Sequence, residues 1–363
     1  MKIVDKYIIK ELTNVFLFGV VAFTSIFSGV GIIPGLVREA SSYGLGLDVV
    51  LQIFFARIPQ VMVYTFPMSI LLASLQVFGK LSEDSEITAF RASGVSLLRL
   101  VLPALLVGLC VSILTLIFNE ELVPKSNLYV NYLTTKVKNE YRPVIKKSVN
   151  IPQYEHGYLK RTINARQLDN RAMHDVTLLE YEKNSLRRVV FAEKANFIAG
   201  KGWEFLDGIL YLFDKTDDSL TRIIFEREAI TLRINPTEMQ VVLENSNPEE
   251  LSFLQLYEKI QIKISTGEDV SKLVLQLYVK TAIPFACFIF TLLGAPLGLK
   301  PQRSSSSVGI GLSLLVVIFY YILLAIGEWL GLINALNPLL AAWLPNIVIG
   351  SLGVFLLFRK ASY

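Results

Sequence analysis

The chain has 363 residues, of which 53% are hydrophobic and 18% charged, with a mean hydropathy of +0.50. A soluble domain averages about 25% charged residues, and here the charges crowd into the middle of the chain, so composition points to a membrane protein with one water-facing insert. The net charge of +4 is small and calls for no nucleic-acid partner, and two isolated cysteines, Cys110 and Cys287, form neither a disulfide framework nor a metal-type spacing.

Six stretches are apolar enough to cross a bilayer, which takes about 20 residues of helix. They are residues 12–37, 49–79, 100–119, 281–299 (with a helix start near Ser271), 304–327 and 329–358. The last two are separated by little more than Glu328 and a turn at 331–338. The uncharged run 12–37 exceeds the about 7–15 residues of a signal-peptide core, so it reads as an uncleaved span.

Between the second and third spans lies GKLSEDSEITAFRASG, residues 79–94. Ser82 suits an N-cap, Glu83, Asp84 and Glu86 suit a first helical turn, and Gly94 suits a stop. The expectation is a helix of about three turns with an acidic face, within residues 80–94.

Orientation follows from lysine and arginine in the short loops. Lys2, Lys6, Lys10, Lys80, Arg91, Arg99, Lys300, Arg303, Arg359 and Lys360 fall on one side, and Arg38 nearly alone on the other. Both termini, the 79–94 segment and the 300–307 loop are therefore expected in the cytoplasm, with the central insert outside.

That insert shows short β-type runs with polar turns at 183–184, 199–202, 207–208 and 214–219. The runs are 157–164, 175–181, 186–192, 203–206, 209–213, 222–226 and 229–234, which suggests a sandwich or an open, jelly-roll-like barrel. Residues 248–264 then form an amphipathic helix leading back to the membrane.

Reaction chemistry is hard to find. His156 and His174 lack partners at ligand spacing and read as ordinary strand or surface histidines. No GxSxG elbow, HExxH or phosphate loop occurs. If ATP drives this chain, the ATPase is another polypeptide.

Charges inside spans are functional candidates by default. Arg57 lies about 34 Å of helix from Lys80, and Lys280 about 30 Å from Lys300. Both reach the outer interface, where Arg38 also sits. They read either as snorkelling flank residues or as cations for anionic lipid headgroups, and Gln52 and Gln60 near Arg57 favour the second reading. With no charge near mid-bilayer, an ion-coupled carrier is disfavoured. A membrane-anchored sensor built on the β-domain is the competing class. It leaves the acidic cytoplasmic helix unexplained.

Several segments together resemble the LptF/LptG permeases, the membrane subunits of the ATP-binding-cassette machine for lipopolysaccharide. They are Asp5-Lys6-Tyr7-Ile8, Phe66-Pro67-Met68, Gly79-Lys80-Leu81 with Ser85-Glu86-Ile87 and Ala92-Ser93-Gly94, Ala295-Pro296-Leu297-Gly298 with Pro301, Arg303 and 304–309, and Trp343-Leu344-Pro345-Asn346. The resemblance implies an α-helical membrane fold of six transmembrane helices, three plus three, with a periplasmic β-jelly-roll or sandwich between helices three and four. The parts would be 1–123, 124–270 and 271–363, in the cell inner membrane with both termini cytoplasmic. It implies a non-enzymatic permease subunit that extracts lipopolysaccharide, or a related glycolipid, toward the outer membrane. Its partners would be a cytoplasmic LptB-like ATPase dimer, a second LptF/LptG-type permease, LptC/LptA-like periplasmic bridge proteins and lipopolysaccharide. No cofactor would be bound by this chain, ATP being used by the partner ATPase. The resemblance places ATPase coupling on Glu86, with Glu83, Asp84 and Arg91 nearby. Lipid contact would fall to Arg38, Arg57 and Lys280, although some members carry lysines where this chain has Arg38 alone.

Overall fold

A computed structural model of the chain describes residues 3–141, 149–155, 158–168, 172–182, 185–198, 202–213, 220–230, 232, 247–299 and 307–361. His156, the turns at 183–184, 199–201 and 214–219, and Lys300, Pro301 and Arg303 lie outside them. The described residues fall into two units. One comprises Met1–Val137, Pro248–Phe253 and Ser271–Tyr363, the other Lys138–Asn247 and Leu254–Val270.

The first unit is helical. Helices α1 (Ile3–Phe27) and α2 (Ile33–Tyr43) are joined by one π-helical turn, Ser28–Ile32. Helix α3 (Leu47–Glu83) follows, then the short α4 (Glu86–Ala92). Helix α5 (Leu97–Ile117) continues through a second π-turn, Phe118–Leu122, into α6 (Val123–Tyr141). After the strands and helix α7 (Phe253–Ser265) come α8 (Ser271–Gly298), α9 (Ser307–Leu332) and α10 (Pro338–Ala361).

Six helical stretches among the described residues are long and apolar enough to span a membrane, three on each side of the strands. Those of the first half run to 40, 37 and 38 residues, about 55–60 Å at 1.5 Å per residue, against a hydrocarbon core of about 30 Å. The first three spans thus outreach the bilayer, which the 20-residue apolar run of the third span did not indicate. The fifth span also differs from expectation. It continues through Glu328 to Leu332, and the Glu328 carboxylate within it accepts from Gln276 of α8 at 3.4 Å.

Close helix contacts rest on small residues, as lipid supplies no hydrophobic drive between helices. Gly298 at the end of α8 is one case: a Cβ there would sit 2.9 Å from the Leu75 carbonyl and from Phe78 Cβ of α3.

The second unit carries one antiparallel meander, β1 (Val149–Glu155), β2 (Tyr158–Leu168), β3 (Ala172–Glu182), β4 (Ser185–Ile198), β5 (Gly202–Phe213) and β6 (Leu220–Ile230), paired in that order. Among the described residues the sheet is not closed, and it stands between the third and fourth spans, where a sandwich or open, jelly-roll-like barrel was expected. Its strands are longer than the sequence runs, and the expected turn at Asp207-Gly208 lies inside β5. Asp175 (φ 50°) and Asp207 (φ 49°) fall on one line across the sheet where β3 and β5 bend. Beside it a Cβ on Gly208 would lie 2.3 Å from the Phe191 carbonyl oxygen.

At that line the buried positions change parity. On β5, Trp203 and Phe205 are buried on one side and Leu210 on the other; on β3, Met173, then Val176 and Leu178; on β4, Val190, then Ala195. All belong to one core. The meander is therefore creased, and its two halves face each other across a shared apolar interior.

Candidate functional site

At the lysine-rich end, the segment between α3 and α5 is built differently from expectation. Ser82 does not start a helix. Helix α3 runs on to Glu83, Asp84 caps its C-terminus, and Ser85 (φ 57°) breaks the chain into α4. The acidic helix of about three turns is thus a seven-residue helix beginning at Glu86, and Glu83 and Asp84 belong to the end of α3. The stop stands as read, Gly94 (φ 82°) following the Ser93 cap.

The short helix is anchored by its inner face. Ile87 is buried in the main helical core and Phe90 packs against it. The Tyr7 hydroxyl of α1 donates to Glu86 Oε1 at 3.3 Å, so Glu86 is half-buried and held. Two ion pairs brace the surroundings: Arg99 Nη2 to Asp5 Oδ2 at 2.9 Å and Lys80 Nζ to Glu11 Oε2 at 3.6 Å. Glu83, Asp84 and Arg91 are exposed. Together they leave a rigid platform with exposed charges beside a pinned carboxylate.

At the opposite end the three candidate cations each have a different fate. Arg57 of α3 pairs with Glu39 of α2 at 3.4 Å, both half-buried, and its Nη1 passes 3.8 Å from the Cβ position of Gly35. Arg38 is exposed. Lys280 of α8 is buried. Its Nζ donates to Asn119 Oδ1 at 3.4 Å and to the Glu249 backbone carbonyl at 3.1 Å. Gln52 accepts from the Tyr129 hydroxyl at 2.7 Å, whereas Gln60 lines a small cavity of about 20 Å³ beside Lys280, room for about one water and none for an acyl chain.

The Lys280 cluster holds residues that sequence reasoning missed. Pro284 has no N–H, so the Lys280 carbonyl loses its i→i+4 partner. Asn119 Nδ2 supplies one at 3.2 Å. Glu120 then accepts the Phe253 backbone N–H on both carboxylate oxygens, at 3.0 and 2.9 Å, a negative charge at the start of α7 where orphan N–H groups need it. The Tyr64 hydroxyl donates to Glu249 Oε2 at 3.3 Å. Tyr64, Glu120 and Lys280, from three spans, thus grip the strap Pro248–Phe253 that leads back toward the membrane. Proline four residues after a lysine was the one signal for this in the sequence.

Among the described residues no group of three or more His, Cys, Asp or Glu side chains is placed to hold a metal ion. His174 sits in β3, opposite Gln167 and Lys194.

Comparison with known proteins gives a full-length match. The model of the family "Lipopolysaccharide export system permease LptF/LptG" matches residues 6–359. Lipopolysaccharide export system permease protein LptG of Escherichia coli (strain K12) is 22% identical over 308 residues, 82% of this chain and 81% of that protein. LptG of Haemophilus influenzae is 22% identical over 362 residues, 98% of each.

Proposed function

The chain belongs to the LptF/LptG family of lipopolysaccharide export permeases, and on that footing we propose that it is the membrane subunit through which an ABC transporter moves lipopolysaccharide, or a related glycolipid, out of the inner membrane. The observation that carries this reading is the match from residue 6 to 359 over a chain whose six spans flank an open, creased β-sheet. In this reading residues 1–123 and 271–363 form the translocating part, and 124–270 the periplasmic part that hands the lipid to a jelly-roll bridge. A second permease of the family completes the cavity.

The α4 platform is the proposed seat of a cytoplasmic ATPase dimer. Its support is mechanical. Helix α4 is wedged between two spans, its Ile87 is buried in their core, and Glu86 is tied to α1, so a push on α4 reaches three helices without an intervening flexible link. The acids Glu86, Glu83 and Asp84 suit a basic groove, and Arg91 fixes register. At the other end Arg38 is the cation most available to a lipid phosphate. Arg57 would join it by exchanging Glu39 for that phosphate. Lys280 would act by holding the strap.

The test is co-purification with the ATPase in mild detergent. Glu86→Arg should reduce ATPase recovery about tenfold or more, the scale of losing a charge-assisted contact, and Glu83→Gln should reduce it less. Full recovery with Glu86→Arg would remove α4 as the docking site. Photocrosslinking to lipopolysaccharide should fall with Arg38→Ala, and unchanged crosslinking would return Arg38 to the role of an interfacial flank.

A further inference from the structure

The apolar interior of the creased sheet ends in charge. Arg161 lies two residues from buried Ile163, Glu180 two from Leu178, Arg188 two from Val190 and Glu228 two from Ile230. Strand alternation puts all four on the inner face. They form a continuous array: Arg161 Nε to Glu180 Oε1 at 2.6 Å, Arg188 Nε to Glu180 Oε2 at 3.9 Å, and Arg188 Nη2 to Glu228 Oε1 at 3.0 Å.

The last of these pairs is not a neighbour contact. Arg161, Glu180 and Arg188 stand side by side in register on β2, β3 and β4. Glu228 pairs through Phe205 with Ala195, seven residues up β4 from Arg188, or roughly 20 Å along a strand. Arg188 and Glu228 lie on opposite sides of the crease and meet only because the two halves face each other. Their bond spans the interior.

An exposed ion pair contributes little to stability. This array is half-buried, with side-chain exposures of 18–36%, next to an apolar core. Replacing such a pair by aliphatic residues of similar volume is often neutral or stabilising, so stability alone is weak ground for these charges.

We propose that the Arg188–Glu228 pair is a latch across the mouth of the folded sheet. Its release uncovers the apolar interior around Trp203 to an acylated, phosphorylated amphiphile, whose phosphate replaces Glu228 between Arg161 and Arg188. The ligand class rests on the export reading above; the latch does not.

The test uses the full chain in detergent with Trp329 and Trp343 replaced by phenylalanine, leaving Trp203, which is 1% exposed. Glu228→Gln and Arg188→Gln should each raise acrylamide quenching of Trp203 about twofold or more, as a local opening would. The double variant should be no more open than Arg188→Gln alone, because the bond across the interior is already lost there. Glu204→Gln, on the outer face of β5, should leave quenching unchanged. Unchanged quenching in Glu228→Gln, additive effects in the double variant, or equal quenching in Glu204→Gln would each overturn the latch. In the Glu228→Gln background, phosphatidic acid with brominated acyl chains should quench Trp203 more than diacylglycerol with the same chains. Equal quenching would overturn phosphate recognition while leaving the latch and the export reading intact.

Discussion

Pro284 removes one N–H from α8, and Asn119 of the third span repairs the loss while its other amide atom receives the Lys280 ammonium. One side chain thus satisfies both a backbone acceptor and a buried cation. Asn119→Leu should therefore cost more than a single hydrogen bond. It strands the Lys280 carbonyl at about 1–3 kcal/mol and also takes one of two acceptors from the Lys280 ammonium, which keeps the Glu249 carbonyl; the readout is a drop in detergent melting temperature. Pro284→Ala gives the Lys280 carbonyl a helical donor again, so Asn119→Leu with Pro284→Ala should melt above Asn119→Leu alone, with a coupling of about 1 kcal/mol. If the double variant melts at or below the single one, Asn119 is not compensating for the proline. Asn346 also reaches α8, donating to the Ala282 carbonyl at 2.8 Å from a buried position, which ties the Trp-Leu-Pro-Asn segment of the matching motifs to that helix.

Elements were legible in the sequence where one physical rule decides them. Six apolar runs became six spans because the hydrocarbon core sets a minimum length. The break at α4 was legible in kind and not in place. Ser82 is a good cap by type, but α3 stays packed one turn further, and the break falls at Ser85 in the left-handed region. Asp207-Gly208 has turn chemistry, and the structure uses it to crease β5 without leaving the strand; only long-range pairing chooses between those outcomes. The strap Pro248–Phe253 was illegible for the same reason, since Tyr64, Glu120 and Lys280 reach it from three distant points of the chain. Its contacts make a testable device. Glu120→Ala removes the acceptor of the Phe253 N–H, and hydrogen exchange of the peptide covering residues 250–258 should quicken about tenfold, equivalent to about 1.4 kcal/mol of local protection. Exchange at the wild-type rate would mean that the strap is held without Glu120.

For the whole molecule the governing quantity is the asymmetry of cationic loops. Lys6, Lys10, Lys80, Arg91 and Arg99 gather at one end of the helices, and Lys360 joins them, donating to the Pro296 carbonyl at 2.7 Å. The other end offers Arg38, and Arg57 there is neutralised by Glu39. Translocation of several lysines costs far more than that of one arginine, so the Tyr7–Glu86 end should face the cytoplasm and the α2–α3 and α9–α10 connections the periplasm. Single cysteines placed on a Cys110→Ser, Cys287→Ser background read this directly. Ser41→Cys, exposed at the end of α2, and Asn334→Cys, exposed in the α9–α10 turn, should react with a membrane-impermeant maleimide in cells with a permeabilised outer membrane. Ser93→Cys, exposed after α4, should react only after the inner membrane is broken. The reverse pattern would place α4 on the wrong side for any ATPase and would overturn the export reading. The expected one leaves α4 on the side where the proposed ATPase would dock.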